Sequence, residues 1–277
     1  MIDIIPYYYQ MKLSPSSLIL GAFDAIHNGH LQLIKQAKLL NLPITITLFD
    51  NISQIPSKQV KWSYSSLDIK LKQLAKLGVS RVIIVDFMNI RNLSGAEFID
   101  HITRLTNAKQ IVVGYNFGYG KNRINNQDDL IKQFSQTIVV PPFMFKDRIV
   151  STSLLKQLIT LGEVDAINDL APFPYTITGS ISAQGVVELN DKSGLHSGVY
   201  GVFVEIDHIR YYGVYAHGLN KYTIMIPDLT FKQAKYKAQI IIITHIRHII
   251  NKRDDRINND DLLLSKNKLT TYVKNRI

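Results

Sequence analysis

Short apolar runs alternate with longer amphipathic stretches along the first 140 residues of the chain. The runs are typical of buried strands, and the stretches carry apolar residues at helical spacing. Five strands are predicted at residues 18–20, 43–49, 81–85, 111–113 and 137–140, helices at 31–40, 66–77 and 94–105, and a polar loop at 50–64. Strands that alternate with helices in this way predict an α/β fold, with a parallel sheet covered by helices on both faces.

The pattern changes after two further predicted helical segments, at residues 151–161 and 161–170. A linker with two prolines then runs into short alternating runs that are separated by turn residues, which indicates β-structure. These runs lie at residues 180–189, 198–206, 210–216, 221–226 and 238–244, and a polar helical tail follows. The sequence therefore predicts two domains, an α/β domain over residues 1–170 and a small β-barrel domain over residues 171–277.

Composition places the chain among globular proteins, because 46% of its 277 residues are hydrophobic and no long low-complexity tract interrupts them. The chain has no cysteine, which excludes disulfides, thiolate zinc sites and a cysteine nucleophile. The first twelve residues lack the basic start and continuous apolar core of a signal peptide, and the apolar run at 240–250 is too short to span a bilayer. We therefore expect a cytoplasmic protein without a membrane segment.

The net charge of +10 is concentrated near the carboxyl terminus, where residues 232–277 contain eleven Lys or Arg residues against four Asp residues. One interpretation is an electrostatic footprint for nucleic acid. The other is a solvated helical surface, which is favoured because no RNA-binding motif with interleaved aromatic residues accompanies the charge. Nucleic-acid binding is kept as the weaker hypothesis.

The segment from residue 18 to residue 30 carries the most informative chemistry. A predicted strand ends at Gly21, and a polar turn leads to His27 and His30, on either side of Gly29 at the start of a helix. A helix amino terminus attracts phosphate, because unpaired backbone N–H groups and the helix dipole present positive potential there. Imidazoles beside it can donate to phosphate oxygens as charge develops. The segment therefore predicts a phosphate-handling site, and a helix-capping turn with a surface histidine is the plain structural alternative.

The whole pattern, G-x-F-D-x-x-H-x-G-H, resembles the signature of the HxGH nucleotidyltransferases. This resemblance implies a Rossmann-like fold and attack on the α-phosphate of ATP with release of pyrophosphate. It also implies that His27 and His30 are catalytic. The remaining motif residues, implied to bind ATP, are Gly21, Phe23, Asp24 and Gly29. A specificity for nicotinamide mononucleotide or phosphopantetheine stays open on this motif alone.

A second motif follows the fourth predicted strand, where residues 112–123 read VVGYNFGYGKNR. Its glycines allow close backbone approach, and its aromatic residues and two cations suit a flat ring that carries phosphate. The segment resembles the flavin-side motif V-V-G-x-D-F-x-F-G-K-x-R of prokaryotic FAD synthetases, although Asn116 replaces the family's Asp and Tyr119 its Phe. The flavin-binding residues that this resemblance implies are Gly114, Asn116, Phe117, Tyr119, Lys121 and Arg123.

A third segment, residues 148–156, reads RIVSTSLLK and opens a predicted helix. A hydroxyl at the helix start and the free N–H groups there suit phosphate. The segment resembles the family motif I-S-S-T-x-I-R, which implies that Ser151 and Thr152 bind the pyrophosphate of ATP. Leu155 stands where the family has Arg, and Arg148 or Lys156 is the predicted substitute for that charge.

The second half resembles a riboflavin kinase module in its P-Y-x-I-x-G entry at residues 174–179 and its G-V-Y strand at residues 198–200. That module's Gly-Phe-Pro-Thr-Ala-Asn stretch, its Asn-x-Gly-x-x-Pro-Thr stretch and its glutamate base are missing from the sequence. Riboflavin kinase activity is therefore predicted to be lost, and the barrel is expected to serve stability, association or regulation.

These resemblances imply an FMN adenylyltransferase, an FAD synthetase that transfers AMP from ATP to FMN. ATP and FMN are the expected partners, FAD is the product, and Mg²⁺ accompanies the ATP with no protein ligand assigned to it. Association into a homo-oligomer stays open. The main alternative is a non-catalytic flavin or nucleotide regulator, because Leu155, Asn116 and the eroded barrel depart from the family pattern.

Overall fold

A computed structural model describes residues 2–49, 62–231 and 233–276 of the chain. By its internal contacts the chain divides into two units. The first unit comprises Met1–Lys61 and Leu67–Ser151, and the second comprises Trp62–Ser66 and Thr152–Ile277. The second unit thus includes a short segment from the first half of the chain and the helices before residue 170. The family-based boundary at residue 170 stays a prediction.

Strands and helices alternate through the first unit, as the sequence pattern predicts. In chain order they are β1 (Asp3–Pro6), β2 (Ser16–Ile19), α1 (Asn28–Lys38), β3 (Ile44–Phe49), α2 (Leu67–Lys76), β4 (Arg81–Val85), α3 (Phe87–Ile90), α4 (Gly95–Thr106), β5 (Ala108–Gly114), β6 (Gly118–Tyr119), a 3-10 helix (Lys121–Arg123), β7 (Asn125–Asn126), α5 (Gln127–Gln133), β8 (Thr137–Val140), β9 (Met144–Phe145) and β10 (Arg148–Ile149).

Six of these strands form one parallel sheet in the order β1-β4-β3-β2-β5-β8. From β2 the chain continues to β3 and β4 on one side, whereas from β5 it continues to β8 on the other side. The direction of winding therefore reverses between the neighbouring strands β2 and β5. Ligands of open α/β sheets bind at such a switch point, in the crevice outside the carboxyl ends of the strands.

Two apolar clusters pack the helices onto the two faces of this sheet. Ile34 of α1 and Leu74 of α2 belong to one cluster, and Ile102 of α4 belongs to the other. Along β2, Leu18 packs into the second cluster and Ile19 into the first, because successive side chains of a strand point to opposite faces. The predicted α/β fold, with a parallel sheet covered on both faces, is confirmed.

The first unit also contains elements that the sequence pattern does not predict. β1 is an edge strand with three of its four residues exposed, and its apolar run is limited to Ile4 and Ile5, which is too short to predict a strand. α5 buries only Leu130 among its seven residues, which leaves little helical periodicity to detect. Residues 50–61 of the predicted polar loop lie outside the described residues.

The second unit contains α6 and α7, a barrel and a final helix. Its elements are α6 (Thr152–Leu161), α7 (Val164–Leu170), β11 (Tyr175–Ser182), β12 (Val186–Leu189), β13 (Gly198–Ile206), β14 (Ile209–His217), β15 (Tyr222–Met225), β16 (Lys235–His248) and α8 (Asn259–Lys274).

The six strands of this unit close into an antiparallel barrel in the order β11-β12-β15-β14-β13-β16. The predicted barrel is therefore confirmed, with one difference. The run predicted at residues 180–189 is divided between β11 and β12 by a turn, because Gly185 has a φ of 73°, a backbone conformation that favours glycine.

The segment Trp62–Ser66, which we call the Trp62 strap, packs within the second unit. The indole of Trp62 lies against the backbone of Gly194, where a Cβ atom would not fit. The ammonium of Lys156 donates to the carbonyl oxygen of Trp62 at 2.6 Å and lies 4.8 Å from the centre of its ring. Tyr64 meets Tyr175 edge-on, with ring centroids 5.0 Å apart.

The basic tail forms α8, so the predicted helical tail is confirmed. Arg247 of β16 holds this helix through a two-pronged pair with Asp261, with N–O distances of 2.8 and 2.9 Å. Part of the positive charge near the carboxyl terminus is therefore engaged in packing the tail on the barrel. Among the residues that the structure describes, no helix is long and apolar enough to cross a bilayer.

Candidate active site

The first two predicted motifs directly follow strands at the carboxyl edge of the parallel sheet. The turn at residues 20–27 follows β2, and the loop at residues 115–125 follows β5. These two strands are neighbours at the switch point, and the N–H group of Leu20 donates to the carbonyl oxygen of Val112 at 3.2 Å. The first two predicted motifs are therefore brought side by side where such sheets bind ligands.

The start of α1 fixes the orientation of both histidines. The carbonyl oxygen of His27 accepts from the N–H groups of His30 at 2.8 Å and Leu31 at 3.2 Å. In return, the N–H group of His27 donates to Nδ1 of His30 at 3.3 Å. Because Nδ1 of His30 accepts this hydrogen bond, the proton of the neutral ring resides on Nε2.

The two imidazoles lie against each other, with ring centroids 3.9 Å apart and planes inclined by 35°. His27 is 8% exposed, and this burial lowers its pKa to about 4, so the ring is neutral at pH 7. Nδ1 of His27 is buried without a hydrogen-bond partner among the described residues. Buried polar atoms without partners are rare in folded proteins and need an explanation.

Gly29 provides the space for this arrangement. A Cβ atom at this position would lie 2.9 Å from Cε1 and Nδ1 of His27. The first turn of α1 carries no acidic residue, so nothing in it opposes the positive potential of the helix start. His27, Gly29 and His30 therefore form one compact group at a position that favours an anion.

The remaining residues of the first motif are placed around this group. The N–H group of Gly21 lies 3.5 Å from the hydroxyl oxygen of Thr47, in the second half of β3. Phe23 and Asp24 are each only 1% exposed, so their side chains are part of the interior. Sequence reasoning missed Thr47, although its position in a predicted strand that ends at the same sheet edge is a usable signal.

The second motif forms an open loop. Asn116, Lys121 and Arg123 are exposed, and Nη2 of Arg123 donates to the carbonyl oxygen of Asn116 at 3.3 Å. Phe117 is half-buried and stacks on Tyr119, with ring centroids 5.5 Å apart. Tyr119 is 6% exposed and belongs to the core cluster that packs α4, so little of its ring is open to a ligand.

The third motif is divided between the two units. Arg148 is exposed on the β9–β10 hairpin, and the carbonyl oxygen of Val150 would lie 3.7 Å from a Cβ atom on Gly29, which brings this backbone next to the start of α1. Ser151 follows directly and is half-buried. Thr152 begins α6, which belongs to the second unit.

Lys156 and Leu155 are both buried within the second unit. Leu155 is 0% exposed, and Lys156 is 6% exposed and committed to the Trp62 strap. The predicted contact of Lys156 with ATP would therefore require the ammonium to leave its hydrogen bond to the carbonyl oxygen of Trp62. Arg148 retains an exposed guanidinium, and its role in replacing the family arginine stays a prediction.

A dedicated metal cage is not found in the part of the chain that the structure describes. No group of three or more His, Asp or Glu side chains there is arranged to hold a metal ion. Mg²⁺ binds with few protein ligands when phosphate oxygens are available, so a nucleotide-borne ion needs no such cage.

Comparison with protein families identifies the first unit. A family model described as FAD synthetase matches residues 9–154, just over half of the chain. The chain belongs to the FAD synthetase family. The predicted resemblance to FAD synthetases is therefore confirmed. The matched region of this FAD synthetase family member contains the first two motifs in full and the third motif up to residue 154.

Several curated relatives are similar over part of their length. The bifunctional riboflavin kinase/FMN adenylyltransferase of Listeria monocytogenes is 34% identical over 178 residues, which are 59% of this chain and 56% of that protein. The protein of the same name from Mycoplasma pneumoniae is 32% identical over 168 residues, which cover 60% of this chain and 57% of that protein. The chain therefore spans little more than half the length of these relatives.

A solved structure shares the fold of the whole chain. It is described as a macrolide-efflux protein from Streptococcus pneumoniae, and it matches with a TM-score of 0.80 over 99% of this chain and 98% of that one. The two sequences are 24% identical. This likeness concerns the fold alone.

Proposed function

We propose that the protein is an FMN adenylyltransferase, which transfers AMP from ATP to FMN and releases pyrophosphate. The observation that carries the proposal is the pair of imidazoles in contact at the start of α1, at the switch point of the parallel sheet. Membership of the FAD synthetase family supports flavin as the acceptor, and two similar relatives carry FMN adenylyltransferase in their names.

The proposed reaction is an in-line displacement at the α-phosphorus of ATP. An ionised oxygen of the FMN phosphate forms the new P–O bond, and the bond to the oxygen bridging the α- and β-phosphates breaks. Pyrophosphate leaves with the electron pair of that bond. Because the attacking oxygen is already ionised, no strong base is required, and positioning and electrostatic stabilisation supply most of the acceleration.

The two histidines act as hydrogen-bond donors in this proposal. His30 presents the N–H group of Nε2, because its Nδ1 accepts from the backbone of His27. His27 is neutral at pH 7, with a pKa lowered to about 4 by burial, so it donates one hydrogen bond without carrying a charge. Both donors and the N–H groups of the first turn would stabilise negative charge as it moves onto pyrophosphate.

The loop after β5 is proposed to bind the flavin. The half-buried ring of Phe117 is backed by Tyr119, which gives a flat surface held from behind. Asn116 offers an amide to the polar edge of the flavin ring system, and Lys121 and Arg123 offer positive charge to its phosphate. Tyr119 then supports the loop and does not lie against the flavin.

Several finer assignments remain predictions of the sequence. Ser151 is proposed to bind pyrophosphate, and the same role for Thr152 is an expectation. Mg²⁺ would neutralise phosphate charge and would be held by the nucleotide. A cytoplasmic location, the absence of riboflavin kinase activity and the oligomeric state also stay predictions.

One assay tests the proposed activity. Purified protein is incubated with ATP, Mg²⁺ and FMN, and FAD and pyrophosphate are quantified by chromatography and a coupled assay. We expect equal amounts of the two products. A parallel incubation with riboflavin, ATP and Mg²⁺ reports kinase activity, and we expect it to yield neither FMN nor FAD.

The outcome separates the proposal from its alternatives. Saturable quenching of flavin fluorescence without any FAD would overturn the enzyme and favour a flavin-binding regulator. Formation of a different dinucleotide from nicotinamide mononucleotide would overturn flavin specificity. Steeply salt-dependent RNA binding without turnover would favour a role for the basic tail.

A further inference from the structure

Phe23 combines a disfavoured backbone conformation with complete burial. Its φ is 44°, in the left-handed region that side chains rarely adopt, and its side chain is 1% exposed. Strained backbone of this kind persists only where surrounding contacts hold it, and it often occurs at functional sites. The contacts of the Phe23 ring therefore indicate which function this backbone conformation serves.

The ring of Phe23 is fixed between the preceding turn and a proposed catalytic histidine. A Cβ atom on Gly21 would lie 2.8 Å from Cε2 of Phe23, so glycine is the residue that lets the ring fold back over the turn. The centroid of the Phe23 ring then lies 4.5 Å from the centroid of the His30 ring, and the two ring planes are inclined by 32°. His30 also contacts the ring of His27 and accepts from its backbone.

We propose that Phe23 is a positioning residue, which holds the imidazole of His30 in the orientation and tautomer that present Nε2–H to the phosphates. This inference rests on the function proposed above. It departs from the role implied by the sequence motif, in which Phe23 binds ATP, because a side chain that is 1% exposed has almost no surface for a nucleotide.

A chemical consequence distinguishes this role from simple core packing. Without the ring of Phe23, the His30 imidazole gains room to rotate, its hydrogen bond from the backbone of His27 weakens, and the Nδ1–H tautomer becomes populated. Loss of the fixed donor reduces stabilisation of the transition state, whereas the FMN-binding loop after β5 is unchanged. A small displacement of a catalytic group costs about a hundredfold in rate.

The test compares two buried phenylalanines of the first unit. Phe23→Leu removes the ring beside His30, and Phe98→Leu is the matched control, because Phe98 is 9% exposed and packs in the cluster on the other face of the sheet. For Phe23→Leu we expect kcat for FAD formation to fall about ten- to hundredfold, with KM for FMN within about twofold of wild type. For Phe98→Leu we expect kcat per folded enzyme to change by less than about threefold.

A second readout does not depend on activity. Nitrogen-15 NMR of histidine-labelled protein distinguishes the protonated from the bare ring nitrogen, and the His30 signals are identified by their loss in His30→Gln. We expect wild type to show the Nε2–H tautomer, Phe98→Leu to retain it and Phe23→Leu to show a mixture. This measurement decides the role of Phe23 even if the protein forms no FAD, in which case only the proposed function fails.

Two results would overturn the inference. One is an unchanged His30 tautomer in Phe23→Leu, and the other is a loss of kcat that matches that of Phe98→Leu. If Phe23→Leu does not fold, Gly21→Ala carries the tautomer test, because its Cβ atom would lie 2.8 Å from Cε2 of Phe23, so the ring has to leave its place beside His30 although no core side chain is removed.

Discussion

The turn after β2 and the loop after β5 begin on neighbouring strands, but they expose their side chains to very different extents. In the turn, Phe23, Asp24 and His27 are all buried, and His30 is held by ring contacts and a backbone hydrogen bond. In the loop, Asn116 and Arg123 are exposed, and Nη2 of Arg123 donates to the carbonyl oxygen of Asn116.

This difference matches two separate requirements of a group-transfer site. Groups that stabilise the transition state are effective when they are already oriented, because no energy is then used to reorganise them during the reaction. A surface that admits a large flat substrate has to remain accessible. Substitutions in the turn should therefore act on kcat, and substitutions in the loop should act on KM for FMN.

The largest effect is expected from His30→Gln. Glutamine carries an amide N–H donor but lacks the ring that contacts Phe23 and His27, so its donor is not held toward the phosphates. We expect kcat for FAD formation to fall about a hundred- to a thousandfold, with the fluorescence-detected affinity for FMN nearly unchanged. His101→Gln is the matched control, since His101 lies on α4 and contacts the carbonyl oxygen of Tyr7. Equal activity of the two variants would contradict the role of His30.

The next effect concerns pH and stability. The folded pKa of His27 is about 4, below the ordinary value of 6.5, so the unfolded chain binds more protons as the pH falls between these values. The stabilising contribution of neutral His27 is present above pH 6.5 and is lost progressively toward pH 4, by up to about 3 kcal/mol. Denaturant unfolding at pH 7 and pH 4.5 measures this loss in the free energy of unfolding.

His27→Asn provides the reference for that measurement. His217 of the barrel has a pKa lowered to about 4 by burial and contributes with the same sign, so the absolute loss is not specific to His27. The difference in pH dependence of the unfolding free energy between wild type and His27→Asn isolates the contribution of His27. An identical pH dependence in the two proteins would contradict burial of a neutral His27.

A smaller effect is expected from Gly29→Ala. Its Cβ atom would approach the His27 ring to 2.9 Å, and the ring has to move away. We expect kcat to fall about tenfold, while the free energy of unfolding changes by less than about 1 kcal/mol, because alanine favours the helix. Gln32→Ala, one turn further along α1, is the control. Loss of stability without loss of rate would show that Gly29 serves the fold alone.

The smallest effect is expected in the open loop, from Arg123→Ala. Removing one exposed cation weakens attraction to the FMN phosphate and frees the carbonyl oxygen of Asn116. We expect KM for FMN to rise about three- to tenfold, with kcat within about twofold. Lys132→Ala, on the exposed part of α5, controls for the general loss of positive charge. A change confined to kcat would contradict the separation between turn and loop.

The sequence was informative where local pattern and tertiary structure agree. A short apolar run, a turn and an amphipathic helix predicted β2 and α1 because Leu18, Ile19 and Ile34 are buried in the sheet core. The approach of His27 and His30 also followed from sequence, since residues three apart meet across the first turn of a helix. The barrel was predicted from alternation along its strands.

Features that depend on distant neighbours were not accessible in the same way. Tyr119 and Lys156 carry polar groups in family-like motifs, so their residue types suggested ligand contacts. The burial of Tyr119 depends on the cluster beneath α4, and that of Lys156 depends on the Trp62 strap, about ninety residues earlier in the chain. The left-handed backbone of Phe23 likewise leaves no trace in its residue type.

The Trp62 strap gives the second unit an intrinsic optical reporter. The chain has a single tryptophan, so all indole emission arises from a ring that lies against Gly194 and beneath the ammonium of Lys156. Far-ultraviolet dichroism, in contrast, reports on the helices and strands of both units. A temperature ramp followed by both signals would therefore reveal whether the first unit melts together with the barrel or apart from it, without any added label.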